Sequence, residues 1–191
     1  MSYKIKEIFC SIQGEGFHAG TAAIFVRFSG CNLKCDFCDT DFSRGKKMEV
    51  EEIIVAMVKQ NRKVKTVILT GGEPLMQVDE TLVAALLSAG YAIHIETNGT
   101  LLPKFQPLNR NIWWTVSPKA NEYQAIKWGD EIKVVYTGQS EIQLKRYQEQ
   151  SFEHFYLQPC SMENIETIVE IIKQEPKWKL SYQIQKAANL R

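Results

Sequence analysis

Three cysteines fall within one short stretch, Cys31-Asn32-Leu33-Lys34-Cys35-Asp36-Phe37-Cys38, with three residues in the first gap and two in the second. A loop with these gaps can wrap three thiolates around one face of a cubic 4Fe–4S cluster, leaving the fourth iron without a protein ligand. An iron with an open position takes a small molecule, as a three-ligand zinc keeps a position for its substrate. A structural zinc would need a fourth donor such as Asp36 or Asp39, and a Cys3Asp site is uncommon. Disulfides would need an oxidising compartment, and the total of five cysteines is odd. The remaining two, Cys10 and Cys160, are distant in sequence and read as ordinary buried thiols.

Other stretches offer chemistry of a different kind. In Thr70-Gly71-Gly72-Glu73-Pro74 the paired glycines would let backbone approach a ligand closely, and Glu73 can hold a cationic amine; alone, the same residues make a tight turn. Ser117-Pro118-Lys119 offers a hydroxyl, a fixed turn and an ammonium, suited to a carboxylate and a ribose or to plain solvent. An amide at Gln158, within Gln158-Pro159-Cys160-Ser161, could read an adenine edge. Gln13-Gly14-Glu15-Gly16 is a common type of turn. Arg27 is less ordinary, because it stands among Phe25, Val26 and Phe28. A buried guanidinium needs an anionic partner, and a substrate carboxylate is one. Asp39-Thr40-Asp41 is either solvated loop or a source of oxygen ligands for a hard cation.

These residues need a scaffold, and 191 residues are enough for one domain, 1–191, with a substantial core. Hydrophobic residues make up 45% and charged residues 24%, the mix of an ordinary soluble protein. The net charge of +1 gives no global field toward nucleic acid or an anionic membrane. No apolar run approaches the roughly 20 residues of a membrane span. Met1-Ser2-Tyr3-Lys4-Ile5-Lys6 lacks the apolar segment of a signal peptide, so a cytoplasmic location with reduced thiols is expected.

β-Branched and aromatic runs predict strands over 5–12, 23–28, 64–69, 91–96, 112–116, 131–136, 155–157 and 180–184. Helical spacing of Val50, Ile53, Ile54, Met57 and Val58 predicts one amphipathic helix. Asp79 caps another, with Leu82, Val83, Leu86 and Leu87 inward and Gly90 as its stop. Ser140 with Gln143 opens a third, to about Gln150, and Ile165, Ile168, Val169 and Ile172 mark a fourth. Pro103 and Pro107 make 101–110 a loop. Strands alternating with helices imply parallel βαβ units, and eight repeats do not fit this length. The expected fold is α/β, an incomplete, open (β/α) barrel. Cys31, Gly71-Gly72, Thr97-Asn98, Ser117-Pro118-Lys119 and Gln158-Pro159 each follow a predicted strand, the end where such folds bind ligands.

The cysteine triplet and Gly-Gly-Glu-Pro together resemble the radical S-adenosylmethionine (SAM) superfamily, and the barrel is then of the radical SAM type. The further motifs, Ser11-Ile12-Gln13-Gly14-Glu15-Gly16, Arg27-Phe28-Ser29-Gly30-Cys31-Asn32-Leu33, 95–99, 116–120 and Leu180-Ser181, resemble the 7-carboxy-7-deazaguanine synthase family of queuosine biosynthesis almost end to end. That resemblance implies a 4Fe–4S cluster on Cys31, Cys35 and Cys38. It implies SAM contacts at Phe37, Cys38, Asp39, Gly72, Glu73, Ser117, Pro118, Lys119, Gln158, Pro159, Cys160 and Ser161. Substrate positions are Ile12, Gln13, Gly14, Glu15, Arg27, Thr70 and the terminal Arg191, and Thr40 matches a Mg²⁺ position. A 5′-deoxyadenosyl radical would take hydrogen from 6-carboxy-tetrahydropterin and later be re-formed, so that SAM is catalytic while the ring contracts and loses ammonia. Implied partners are a reductant such as flavodoxin or ferredoxin and a second copy in a homodimer. The family commonly ends in Pro and has His near Gln185, whereas this chain ends Asn189-Leu190-Arg191. The nearest rival, a glycyl-radical-enzyme activase, shares the cluster spacing but consumes SAM and needs neither Arg27 nor Thr40 for a pterin.

Overall fold

The computed structural model describes residues 2–106, 111–119 and 122–190. Strand β1 (Ser2–Ile12) pairs antiparallel with β2 (Ala22–Phe28) on one side and with a short edge strand, β3 (Lys46–Glu49), on the other. Strand β3 contains no β-branched residue and was not expected; its pairing to β1 alone makes it a strand. Its exposed Lys46 and Lys47 protect the sheet edge.

Helix α1 (Val50–Gln60) opens with a reciprocal capping box between Glu49 and Glu52 and buries Val50, Ile53 and Met57. After β4 (Thr66–Gly71), the Asp79 carboxylate accepts from the Leu82 amide and caps α2 (Glu80–Ser88). The chain continues through β5 (Ala92–Thr97), β6 (Ile112–Val116), β7 (Trp128–Tyr136), α3 (Glu141–Gln148), β8 (Ser151–Pro159), α4 (Ile165–Gln174), β9 (Lys179–Leu180) and α5 (Ile184–Ala187). The sheet runs β3-β1-β2-β4-β5-β6-β7-β8-β9, parallel from β2 onward and not closed, an incomplete open barrel. The β5–β6 and β6–β7 crossovers carry no helix among the described residues, so strict alternation fails there. No helix among the described residues is long and apolar enough to cross a membrane.

The strand expected over 180–184 is corrected. Only Lys179 and Leu180 pair with β8, and Ile184 already begins α5. Alternation of Leu180, Tyr182 and Ile184 mimics a strand, yet Leu180 and Tyr182 are exposed while Ser181 and Gln183 are buried. The buried set is polar because it is hydrogen-bonded, Ser181 to Gln158 and Gln183 to Glu15. The 101–110 loop is described only through residue 106; Pro107 lies outside the described residues.

Period-two alternation divides the sheet's two faces. Ile24, Val26, Phe28, Val67, Leu69, Ile93, Ile95, Trp114, Val116, Ile132, Val134 and Leu157 belong to the main core, with α1, α2 and α4 supplying its other layer. The inner face begins with a small apolar cluster of Phe9, Ala23, Phe25 and Ile68, then turns polar toward the carboxyl ends. At the opposite end of that face gather all three histidines of the chain, His18, His94 and His154, with Phe17 and Trp113. The His18 and His94 rings are 4.4 Å apart, and Phe17 stacks on His154 at 4.2 Å.

This plug makes stability pH-dependent. Burial first, and the neighbouring His18 second, hold His94 down at about 4 against an ordinary 6.5. A depressed histidine binds a proton in the unfolded chain before it does in the folded one. Stability is therefore fully present above pH 6.5 and falls as pH drops toward 4, by up to about 1.4 kcal/mol per pH unit from this group. Denaturant midpoints at pH 7 and pH 5 should show the loss, and His94→Gln should flatten it; an unchanged slope in that variant would contradict the assignment.

Candidate active site

A cavity of about 360 Å³ opens at the carboxyl ends of the strands. One wall is the cysteine loop, from which Cys31, Cys35, Phe37, Cys38, Asp39 and Thr40 reach the cavity. The loop is folded by its own backbone: the Cys38 amide donates to the Cys35 carbonyl at 3.1 Å, and the Leu33 amide to Cys31 Sγ at 3.4 Å. All three thiols are free. Burial pushes the Cys31 and Cys35 thiols up, with Lys119 working in the other direction. A bound metal would supply the positive charge that turns such thiols into thiolates. Among the described residues no group of three His, Cys, Asp or Glu is gathered for a single metal ion. A structural zinc needs four such donors, whereas three thiols along one wall fit the face of a larger iron–sulfur cluster.

The Gly71-Gly72 turn docks directly on this loop. Gly72 N donates to the Phe28 carbonyl at 3.2 Å and Glu73 N to that of Gly30 at 3.0 Å. Gly71 has φ +129, and a β-carbon there would lie 2.3 Å from the Phe28 oxygen. Both glycines line the cavity, but Glu73 lies behind them and is fully buried. Its carboxylate accepts from Leu75 N at 3.0 Å, Thr97 Oγ1 at 2.8 Å and Asn98 N at 2.8 Å. These bonds clamp the end of β4 to the end of β5. Asn98 extends the clamp, donating to Asn32 Oδ1 in the cysteine loop at 3.1 Å.

Beyond β6, the Lys119 ammonium donates to Ser117 Oγ at 3.0 Å and lies 5.7 Å from the Phe37 ring centre. Burial pushes its pKa down. Pro118 is buried beneath, while Ser117 and Lys119 face the cavity. At the end of β8, Gln158, Pro159, Cys160 and Ser161 line the next wall, and Gln158 Oε1 accepts from Ser181 Oγ at 3.0 Å. Cys160 is half-buried on the cavity and Cys10 half-buried at the core's margin, so neither is the fully buried thiol expected. The polar Gln158-Pro159-Cys160-Ser161 turn holds one thiol at the surface of the cavity.

The far wall holds Ile12, Gln13, Gly14, Glu15, Arg27 and Thr70. Arg27 finds an anionic partner within the chain, because its Nε donates to Glu7 Oε1 at 2.8 Å. Thr70 Oγ1 donates to Glu96 Oε2 at 2.9 Å and Gln13 Nε2 to Glu96 Oε1 at 2.8 Å. Asp41 is not among the cavity residues; Lys6 at 2.6 Å and the Ser43 amide at 2.9 Å hold it elsewhere, which removes it as a cation ligand. Asp39 forms an ion pair with Lys186, and Thr40 Oγ1 lies 3.5 Å from Asp39 Oδ1. Arg191 lies outside the described residues.

Sequence reasoning missed Glu96, Lys133, Gln183, Gln185 and Lys186 on this cavity. Lys133 stands between Ile132 and Val134, the same anomaly that singled out Arg27, and Glu96 is the penultimate residue of a largely buried strand. Gln183 and Gln185 follow no pattern that would have marked them.

Residues 25–122 match the radical SAM superfamily. The chain is 47% identical to the 7-carboxy-7-deazaguanine synthase of Bacteroides thetaiotaomicron, over all of both chains. It is 37% identical to that of Bradyrhizobium diazoefficiens, again over all of both. The crystal structure of QueE from Escherichia coli superposes with a TM-score of 0.80 at 27% identity, covering 96% of this chain and 95% of that one. Streptococcus suis SuiB shares the fold, with a TM-score of 0.58 at 18% identity over 81% of this chain and 47% of its own.

Proposed function

The chain belongs to the 7-carboxy-7-deazaguanine synthase family of the radical SAM superfamily, and from that premise we propose how its residues divide the reaction. The reaction is conversion of 6-carboxy-5,6,7,8-tetrahydropterin to 7-carboxy-7-deazaguanine with loss of ammonia. The observation that carries the assignment is one cavity with three free thiols on one wall and a dense set of charged and amide side chains on the other. Such a cavity suits a small polar heterocycle, whereas an activase must admit a segment of a partner protein.

Cys31, Cys35 and Cys38 hold the 4Fe–4S cluster. When bound, the cluster and SAM supply a 5′-deoxyadenosyl radical for hydrogen abstraction, the hard chemistry that a protein leaves to its cofactors. The chain's own residues orient the participants. Gly71 and Gly72 bring backbone to the SAM amine, with Glu73 fixing their turn from behind. Lys119 and Ser117 meet the SAM carboxylate and ribose, while Phe37 and residues 158–161 enclose the adenosine. Gln13, Gly14, Glu15 and Thr70 line the pterin. Arg27 uses one of its five N–H groups on Glu7 and keeps the rest for the substrate carboxylate. Thr40 would hold a Mg²⁺ ion, a hard cation that takes few protein ligands and would supply a template for orienting the substrate. Residues 1–191 act as a single domain in a cytoplasmic homodimer, reduced by a flavodoxin- or ferredoxin-type protein.

Two substitutions test this division. A charged hydrogen bond is worth about 1.5–3 kcal/mol, so Arg27→Ala should weaken pterin binding by roughly ten- to a hundredfold while SAM affinity without pterin hardly moves. Thr40→Ala should keep cluster and SAM binding but lower turnover and its response to added Mg²⁺. Equal losses of SAM and pterin affinity in the first variant, or full Mg²⁺ stimulation in the second, would overturn the respective role.

A further inference from the structure

The inner face of β7 carries a buried ammonium that no motif accounts for. Lys133 is 5% exposed, and its Nζ lies 2.5 Å from Glu15 Oε2 and 3.8 Å from Glu96 Oε1. All three side chains line the cavity. Burying an ammonium is costly unless it is paired and hydrogen-bonded, so this arrangement has a definite task.

The other oxygen of Glu15 shows what the task is. Glu15 Oε1 accepts from Gln183 Nε2 and from Gln185 Nε2, each at 2.8 Å. Both glutamines belong to the carboxy-terminal segment, which has little sheet pairing to hold it, since β9 is two residues long. Backbone contacts add Ile184 N to the Gly14 carbonyl at 3.0 Å and Gly16 N to Ser181 Oγ at 3.1 Å. Lys186 then pairs with Asp39 beside the cysteines. Segment 181–186 therefore spans the cavity from its charged wall to the cysteine loop, and Glu15 is its principal anchor.

We propose that Lys133 is a positioning residue for the reaction: its ammonium fixes Glu15 as the anchor of Gln183 and Gln185, and thereby holds segment 181–186 as the wall against which the substrate is oriented. The identity of that substrate rests on the pterin reading above; the anchoring of the segment does not. Charge states agree with the geometry. Burial alone would raise Glu15, but the Lys133 charge and hydrogen bond, with the two amides, bring it down to about 2. For Lys133, burial opposes the ammonium, and Glu15, Glu96 and Glu131 more than restore it. The other groups facing this cluster are Glu131 on β7 itself, raised to about 7 chiefly by burial, Lys119 beyond β6, and Tyr156, opposite Lys133 on β8.

The experiment uses anaerobic, cluster-loaded full-length protein and the variants Lys133→Met, Lys133→Arg and Lys133→Met with Glu15→Gln. Two readouts are taken at pH 6 and pH 8.5: KM and kcat for 6-carboxy-tetrahydropterin, and amide hydrogen exchange resolved over 181–187. With Lys133→Met, Glu15 loses its cation. Protonated at low pH, it can still accept both glutamine amides; ionised at high pH, it is a buried unpaired charge that releases the segment. The expected result at pH 8.5 is a KM raised at least tenfold with a smaller change in kcat, and at least tenfold faster exchange confined to 181–187. Both effects should shrink at pH 6 relative to wild type. Lys133→Arg should restore most of the wild-type behaviour, and the neutral pair should lose the pH dependence. A wild-type KM in Lys133→Met, or exchange accelerated uniformly across the sheet, would overturn the proposal. If Lys133→Met does not fold, the neutral pair decides: retained protection with a pH-flat KM ratio to wild type supports the anchor, and a loose or pH-dependent segment overturns it. Absence of pterin turnover by the wild type, with the exchange effect intact, would instead mean that the substrate reading has failed.

Discussion

Cys35→Ala is expected to abolish cluster assembly and SAM cleavage together. In the proposed site three thiols serve three irons, and the cysteine loop holds no fourth cysteine to replace a lost one. Cys35 is also the middle thiol, and its carbonyl accepts the Cys38 amide that turns the loop, so backbone geometry survives the substitution while the ligand does not. The loss should therefore appear in iron and sulfide content and in the reduced-state spectrum, with the secondary structure unchanged. Wild-type SAM cleavage by Cys35→Ala would remove the basis for assigning these cysteines to the cluster.

Gly72→Ala should be nearly as damaging, for a steric reason. A β-carbon at Gly72 would lie 1.9 Å from the Gly30 carbonyl oxygen and 3.0 Å from Cys31 Cβ. The first is backbone and the second a β-carbon fixed to it at the entry of the cysteine loop, so no flexible side-chain end can yield. Overpacking typically costs 1–3 kcal/mol, and a backbone collision of this depth belongs at about 3 kcal/mol or beyond. The turn and the loop must separate, breaking the Glu73 N to Gly30 O hydrogen bond and displacing Cys31. Cluster content after reconstitution should fall by more than half, with a lowered denaturation midpoint. A variant with full cluster content and unchanged stability would show that the close approach is not required.

The parts of the site that were legible in the sequence are those where local chemistry violates its surroundings. Three cysteines in one loop and paired glycines after an apolar strand announce themselves, as does an arginine amid Val26 and Phe28, and all of them line the cavity. The fold was legible for the same reason, because buried parallel strands read as apolar runs between capped helices. Glu73 shows the limit. Its motif located it, but only the three-dimensional course of β5 reveals that Thr97 and Asn98 occupy its oxygens. Gln183 and Gln185 were illegible because their role depends on Glu15, far away along the chain, and their spacing mimics a strand. Lys133 was readable in principle, as a charge inside an apolar strand, and its partners were not.

The most direct test of the whole assignment is anaerobic incubation of the cluster-loaded protein with 6-carboxy-tetrahydropterin, reductant and SAM well below the pterin concentration, following both product and remaining SAM. The predicted result is many molecules of 7-carboxy-7-deazaguanine per molecule of SAM, each formed with one molecule of ammonia, and SAM largely recovered at the end. No deazapurine product, or SAM consumed one for one, would contradict it.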